Sequence, residues 1–169
     1  DPVLKRLEQI GFPVKGSVLR WTTIACAGNF CGKAPENPKK KAAEIIEYLE
    51  ERLGEALKDL NLRIHISGCP NGCARHLTAD IGMQAAQSMI EGKPTPCYNI
   101  YLGCLGPNAS LGKLIERGIR AEQIKYAVGN LVEAYVQKKR NFESFREFCN
   151  KQTIEELRLF LNPNLRPEA

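Results

Sequence analysis

The stretch Leu62-Arg63-Ile64-His65-Ile66-Ser67-Gly68-Cys69-Pro70-Asn71-Gly72-Cys73 joins two signals that decide the fold. Its first five residues alternate strictly, which predicts a strand with Leu62, Ile64 and Ile66 on one face and Arg63 and His65 on the other. That strand runs directly into a loop carrying Cys69 and, after three intervening residues, Cys73. Upstream the pattern repeats: residues 18–25 (VLRWTTIA), rich in β-branched and aromatic side chains, predict a strand that delivers Cys26, with Cys31 after four intervening residues. Between the two lies a helical segment opened by Pro38, in which Ala42, Ile45, Ile46, Leu49 and Leu53 share one face while Lys40, Lys41, Glu47 and Glu51 lie elsewhere. A helical return of this kind can bring both cysteine loops to the same end of one sheet, where four thiolates converge.

Outward from this unit, Val3, Leu4, Leu7 and Ile10 have helical spacing up to Gly11-Phe12-Pro13 and read as the tail of a preceding element. Residues 78–89 and 97–102 read as a hairpin around the turn formers of 91–96. From 109 onward the spacing turns helical: a short segment at 111–116, a strong one through Ile124, Ala127, Val128, Leu131, Val132 and Tyr135, then 142–149 and 153–161. The predicted class is α/β (α+β), a mixed sheet flanked by helices with cysteine loops at strand ends and a helical C-terminal part. Residues 1–17 are assigned to a preceding element or linker, 18–150 to the cysteine-bearing domain, and 151–169 to a C-terminal helix and tail.

The chain's 169 residues can bury a core without staples, and 43% hydrophobic against 25% charged residues is ordinary globular composition. No apolar run approaches the ~20 residues of a membrane-spanning helix, so no membrane association is expected. A formal charge of +5 favours an acidic ligand or partner but is too diffuse to point to nucleic acid. The start Asp1-Pro2-Val3 has neither Met nor the regions of a secretory signal, which suggests a fragment or processed chain and a cytoplasmic location. Seven cysteines cannot all pair internally, and a reducing compartment makes metal ligation the leading explanation for some of them.

Cysteine pairs at this spacing serve zinc or an iron-sulfur cluster, because thiolates are soft ligands and a short loop lets two reach one centre. Spacing alone leaves both open, although neither loop has the two-residue gap of zinc ribbons. Cys97 and Cys149 fall within apolar strand and helix patterns and read as core thiols.

The residues Ser67-Gly68-Cys69-Pro70-Asn71-Gly72-Cys73-Ala74-Arg75, followed by Ala79-Asp80-Ile81-Gly82, closely resemble the cluster motif of ferredoxin-type nitrite and sulfite reductases. Ala25-Cys26-Ala27-Gly28-Asn29-Phe30-Cys31 resembles that family's upstream motif, shortened by one residue before Phe30. Where the family has Glu-Thr-Lys this chain has Asn37-Pro38-Lys39, and where it has Gly-Gly this chain has Gly103-Cys104, which leaves Cys104 outside the cluster. Tyr98-Asn99-Ile100-Tyr101-Leu102-Gly103 and Phe142-Glu143-Ser144-Phe145 extend the likeness across most of the chain.

The resemblance implies a 4Fe-4S cluster on Cys26, Cys31, Cys69 and Cys73, with Cys73 bridging to siroheme, and a six-electron reduction of nitrite to ammonia or sulfite to sulfide. Siroheme's carboxylates require cations and donors where they are buried. Arg75, Lys39, Lys40, Arg63, His65 and His76 are the candidates, with Asn29 and Asn71 as cofactor-lining residues. For each a plainer role exists: Lys39 to Lys41 can be a solvated helix start, Arg75 can cap a carbonyl, both asparagines can be turn formers, and a strand histidine such as His65 is more often a hydrogen-bonded surface group. The implied partners are ferredoxin or another low-potential electron donor, the N-terminal half of the reductase or a partner subunit, and a small oxyanion. The stretch from Leu105 to Gly112 with Gly118-Ile119 looks like the nitrite branch and Cys73-Ala74-Arg75 like sulfite enzymes, a balance that leans to nitrite. A stand-alone iron-sulfur electron-transfer domain and a zinc-stabilised interaction module are the competing readings.

Overall fold

The computed structural model describes residues 1–162 except Pro13, Lys15, Asp59, 104–110 and Phe142, and leaves residues 163–169 and the Asn29 side chain undescribed. Helix α1 (Pro2–Gln9), capped by the Asp1 carboxylate, buries none of its residues. Helix α2 (Val18–Thr22) leads into the two-residue strand β1 (Ile24–Ala25), and α3 (Pro38–Leu53) returns the chain to β2 (Ile64–Ser67). A hairpin of β3 (Ile81–Ile90) and β4 (Lys93–Leu102) follows, then β5 (Lys113–Arg120), α4 (Ile124–Lys138), α5 (Phe145–Asn150) and α6 (Ile154–Leu161).

The strands lie in the order β1-β2-β3-β4-β5, parallel from β1 to β3 and antiparallel from β3 to β5. The mixed sheet flanked by helices is therefore as predicted. Ile64, Ile66, Ile81, Met83, Ile100 and Leu102 alternate onto one core that also takes Ile45, Ile46 and Leu49 from α3, Val128, Leu131 and Val132 from α4, and Leu157 and Leu161 from α6. Burial of this kind stabilises by roughly 25 cal/mol per Å² of apolar surface. His65, Ser67, Gly82, Gln84, Asn99 and Tyr101 fall in register on the opposite face.

Three sequence expectations need correction. Residues 18–25 do not form one strand: Leu19 is fully buried and Ser17 and Arg20 bond Glu50 of α3, so tertiary contacts turn 18–22 into a helix and leave only β1 extended. The segment 111–116 is not helical but enters β5, where Leu114, Glu116 and Ile119 pair with β4 and Ile115 is buried; the apolar spacing of Leu111, Leu114 and Ile115 imitates a helical period. The hairpin turn is narrower than 91–96, because Glu91 and Gly92, both at positive φ, make the reversal and 93–96 continue β4.

Candidate metal centre

Parallel pairing of β1 with β2 sets the two cysteine loops side by side, since both leave the same end of the sheet. Cys26 extends the ladder by donating its N–H to the Ile66 carbonyl at 3.1 Å, and its Sγ accepts the Gly68 N–H at 3.1 Å. Backbone dimensions then place the Cys69 Cα within roughly 8 Å of Cys26 Sγ. Gly68 is needed for this approach: a Cβ there would lie 2.6 Å from Ala34 Cβ, 2.9 Å from Pro38 Cγ and 3.3 Å from Cys26 Sγ. A cleft of about 440 Å³ opens beside the junction, walled by Lys33, Pro35, Cys69, Pro70 and Gln87.

The first loop makes a short 3-10 turn over Gly28–Phe30, with Gly28 at φ 46° wedged against Pro38 of α3, whose Cδ would sit 2.2 Å from an added Cβ. Cys31 is exposed, its Sγ directed to the Gly28 carbonyl 3.1 Å away, and Phe30 is 89% exposed beside it. Helix α3 starts immediately behind, with the Asn37 side chain accepting from the N–H groups of Lys39 and Lys40.

The second loop turns more tightly. Gly72 at φ 70° and Arg75 at φ 54° reverse the chain, and the Arg75 N–H bonds the Gly72 carbonyl at 2.7 Å. Beneath the loop, His65 Nδ1 lies 3.3 Å from the Arg75 carbonyl; a carbonyl can only accept, so this nitrogen carries the proton. His76 Nδ1 shares a 3.0 Å hydrogen bond with Ser67 Oγ, its ring packs on Tyr101 at 5.1 Å, and its buried Nε2 finds no hydrogen-bond partner among the described residues. Burial pushes both histidines below the ordinary range; for His65 the cations Arg63 and Arg75 act in the same direction, while the bond to the Arg75 carbonyl and the nearby Asp80 oppose it.

Of the expected ligands, Cys26 and Cys69 lie half-buried at the junction of the loops, whereas Cys31 and Cys73 are exposed, and none is in a disulfide. Among the described residues no three His, Cys, Asp or Glu side chains are gathered closely enough to hold a metal ion. The donor set nevertheless fits a thiolate-ligated cluster: four thiols at one end of a sheet, two of them bonded or packed at the junction and two at the surface of short glycine-containing loops. Asn71, Arg75, Lys39 and Lys40 are exposed around this end, and the Asn29 side chain lies outside the described residues. Arg63 pairs with Asp80 at 3.2 Å. His65 is not the surface group that strand histidines commonly are, being 5% exposed because the second loop folds over it. Lys41 is no solvated helix-start lysine: its Nζ is buried against Glu44 at 2.7 Å and the Ala121 carbonyl at 3.0 Å. Cys97 and Cys149 are fully buried, as their apolar surroundings predict, while Cys104 lies outside the described residues.

Two polar contacts have no sequence signature that singles them out, Ser67 with His76 and Glu36 with the hydroxyl of the buried Tyr98. Both join residues from different elements, and in sequence Tyr98 is one more aromatic residue of an apolar strand.

The family model of the nitrite and sulphite reductase 4Fe-4S domain matches residues 15–165. A sulfite reductase [NADPH] hemoprotein beta-component of Bacillus pumilus is 33% identical over 82% of this chain and 23% of its own length. A ferredoxin–nitrite reductase of Leptolyngbya laminosa is 32% identical over 78% of this chain and 25% of its own length. The chain thus spans about a quarter of the curated relatives it matches. The structure of the Mycobacterium tuberculosis NirA protein superposes with a TM-score of 0.80, covering 93% of this chain and 30% of that one at 24% identity, a likeness of fold.

Proposed function

Because this chain belongs to the nitrite and sulphite reductase 4Fe-4S domain family, we propose that it is the cofactor-binding half of a siroheme-dependent oxidoreductase that reduces nitrite to ammonia or sulfite to sulfide by six electrons. Its cofactors are a 4Fe-4S cluster and siroheme. The observation that carries the reading is the Gly68 N–H donated to Cys26 Sγ, which brings the end of β1 and the start of the second loop together. Cys26, Cys31, Cys69 and Cys73 would hold the cluster, with Cys73 also the residue nearest siroheme, and the two cofactors, when bound, would supply one-electron transfer to the substrate anion.

The chain's own residues prepare that site. Gly68 and Gly28 allow the loops and α3 to close on one another, and the Gly68 N–H fixes the Cys26 sulfur at the junction. The exposed Arg75, Lys39 and Lys40 present cations to tetrapyrrole carboxylates, with Asn71 at the loop tip and Asn29 in the first loop as further contacts. His65 is held neutral below the loop, where it orients the Arg75 carbonyl. The remaining substrate cations come from the rest of the enzyme, the N-terminal half or a partner subunit, and electrons from ferredoxin or another low-potential donor. Nitrite is the favoured anion on the sequence of residues 105–112, of which 105–110 lie outside the described residues.

Anaerobically reconstituted protein is expected to bind about four irons and four sulfides per chain, and the parent enzyme to show siroheme absorption as well. One tightly held zinc with no labile sulfide would replace this reading by a zinc-stabilised module; a cluster without siroheme in the parent enzyme would leave an electron-transfer domain.

A further inference from the structure

Immediately behind the first cysteine loop, three side chains from separate elements meet. Glu36, the residue before the α3 cap, accepts a hydrogen bond from the hydroxyl of Tyr98 on β4. Tyr98 is fully buried, and burial followed by the contact with Glu36 pushes its phenol far above the ordinary range, so it remains a donor. Lys41, one turn into α3, lies 3.9 Å from the other Glu36 oxygen and ties the group to Glu44 and to the Ala121 carbonyl. Ala121 is itself bonded to β4 through the Pro96 carbonyl at 2.9 Å, which closes the circuit.

The geometry around this group gives it a consequence for the cysteines. The chain from Gly32 to Glu36 connects Cys31 to α3, and Ala34 and Pro38 are the atoms against which Gly28 and Gly68 are wedged, with Cys26 Sγ at the same junction. Among the described residues the loop's other hydrogen-bonded anchors lie at its start: the Cys31 bonds stay within the loop itself, β1 contributes two residues of ladder, and the Cys26 N–H adds a bond to the Ile66 carbonyl. Fixing Glu36 therefore fixes the C-terminal end of the first loop, as the β1 ladder fixes its start.

We propose that Glu36, clamped by Tyr98 and Lys41, is a positioning residue that holds the first cysteine loop in register with the second. The inference rests on the cluster reading above for its consequence, but the clamp itself acts on the polypeptide. A charge-assisted hydrogen bond made by a buried phenol is among the stronger polar contacts, and its loss leaves the carboxylate partly buried with a single cation.

The test compares Tyr98→Phe, Glu36→Gln and Glu36→Ala with Tyr135→Phe, which deletes a comparable tyrosine hydrogen bond, to the Glu143 carbonyl at 2.6 Å, in the helical part of the same core. Two readouts are taken: amide hydrogen exchange of peptides spanning 27–37 in the metal-free chain, and the rate at which a chelator extracts iron from the reconstituted chain. Tyr98→Phe and Glu36→Ala are expected to speed both on the order of tenfold, Glu36→Gln to restore much of the protection because its amide oxygen still accepts from Tyr98, and Tyr135→Phe to leave 27–37 unchanged. Equal exchange in Tyr98→Phe and the unaltered chain, equal loosening by Tyr135→Phe, or faster exchange with unchanged iron extraction would overturn the proposal. If the unaltered chain takes up no iron and sulfide, the cluster reading falls, and with it the role assigned to the clamp, whereas normal cluster uptake with no effect of Tyr98→Phe removes the clamp alone.

Discussion

The two cysteine loops leave the same end of one sheet, yet they are held in different ways. The second follows a four-residue strand buried on both faces and rests on His65, Ser67 and His76, all nearly inaccessible. The first follows a two-residue edge strand, carries an 89% exposed Phe30, and is fixed at its far end by side chains of α3 and β4. One loop is built by its own strand and the other by what packs behind it. An edge ladder of two residues supplies few backbone hydrogen bonds, so the missing order must come from tertiary contacts.

The largest effect expected from this asymmetry is chemical. In the proposed reading only the second loop supplies the thiolate shared with siroheme, so Cys73→Ser in the parent enzyme should abolish the coupled cofactor spectrum. Cys97→Ser, in a fully buried position remote from both loops in sequence, should lower stability while sparing the spectrum. Equal loss of siroheme absorption in the two variants would remove Cys73 from its assigned place.

Steric effects come next and separate the loops thermodynamically. A Cβ at Gly82 would stand 1.9 Å from the His76 carbonyl oxygen, a backbone atom that can yield only if the support of the second loop moves. Gly82→Ala should therefore cost on the order of 3 kcal/mol or more. Gly28→Ala in the first loop meets the Pro38 ring at 2.2 Å and requires an alanine at φ 46°, but the loop has more freedom to shift. About 2 kcal/mol is expected there. Denaturant unfolding of both variants measures the difference, and a smaller loss for Gly82→Ala would reverse the ranking of the two supports.

The same asymmetry explains what could be read from the sequence. The start and the buried face of helix α3 were legible, because Pro38 opens it and its apolar residues repeat regularly, while its end at Gly54, φ 48°, is seen in the structure. The second loop was legible because its strand alternates and its glycines and cysteines are close together in the chain. The region before Cys26 was not: VLRWT has the composition of a strand, and the burial of Leu19 together with the bonds of Ser17 and Arg20 to Glu50, some thirty residues away, turns it into a helix. β5 was hidden in a similar way, since its partner β4 decides its state while its own apolar spacing suggests a helix. Arg75 and Lys39 were identifiable as exposed cations near the cysteines, whereas the burial of His65 and Lys41 depends on segments 10 and 80 positions distant.

The smallest predicted effect concerns acidity, and it follows from where the histidines lie. The sequence contains two, His65 and His76, and both sit beneath the second loop. Their folded-state values are depressed, chiefly by burial, below that of an unfolded histidine near 6.5. Between the folded and unfolded values the unfolded chain binds more protons, so stability increases with pH there. The contribution is complete above about pH 6.5 and is lost as pH falls through the lower folded values. Protonation would also place charge on His76 beside Ser67 and on His65 between the Arg63 and Arg75 cations, with Asp80 as the opposing carboxylate. Amide exchange across 67–77 should accordingly speed up, relative to its intrinsic pH dependence, as pH falls below about 6.5, while 27–37 follows the intrinsic rate. His76→Gln should flatten part of that response, because its amide can still meet Ser67 but does not titrate. Equal acid sensitivity of both loops would show that the first is limited by the second, and that the clamp behind Glu36 cannot hold it alone.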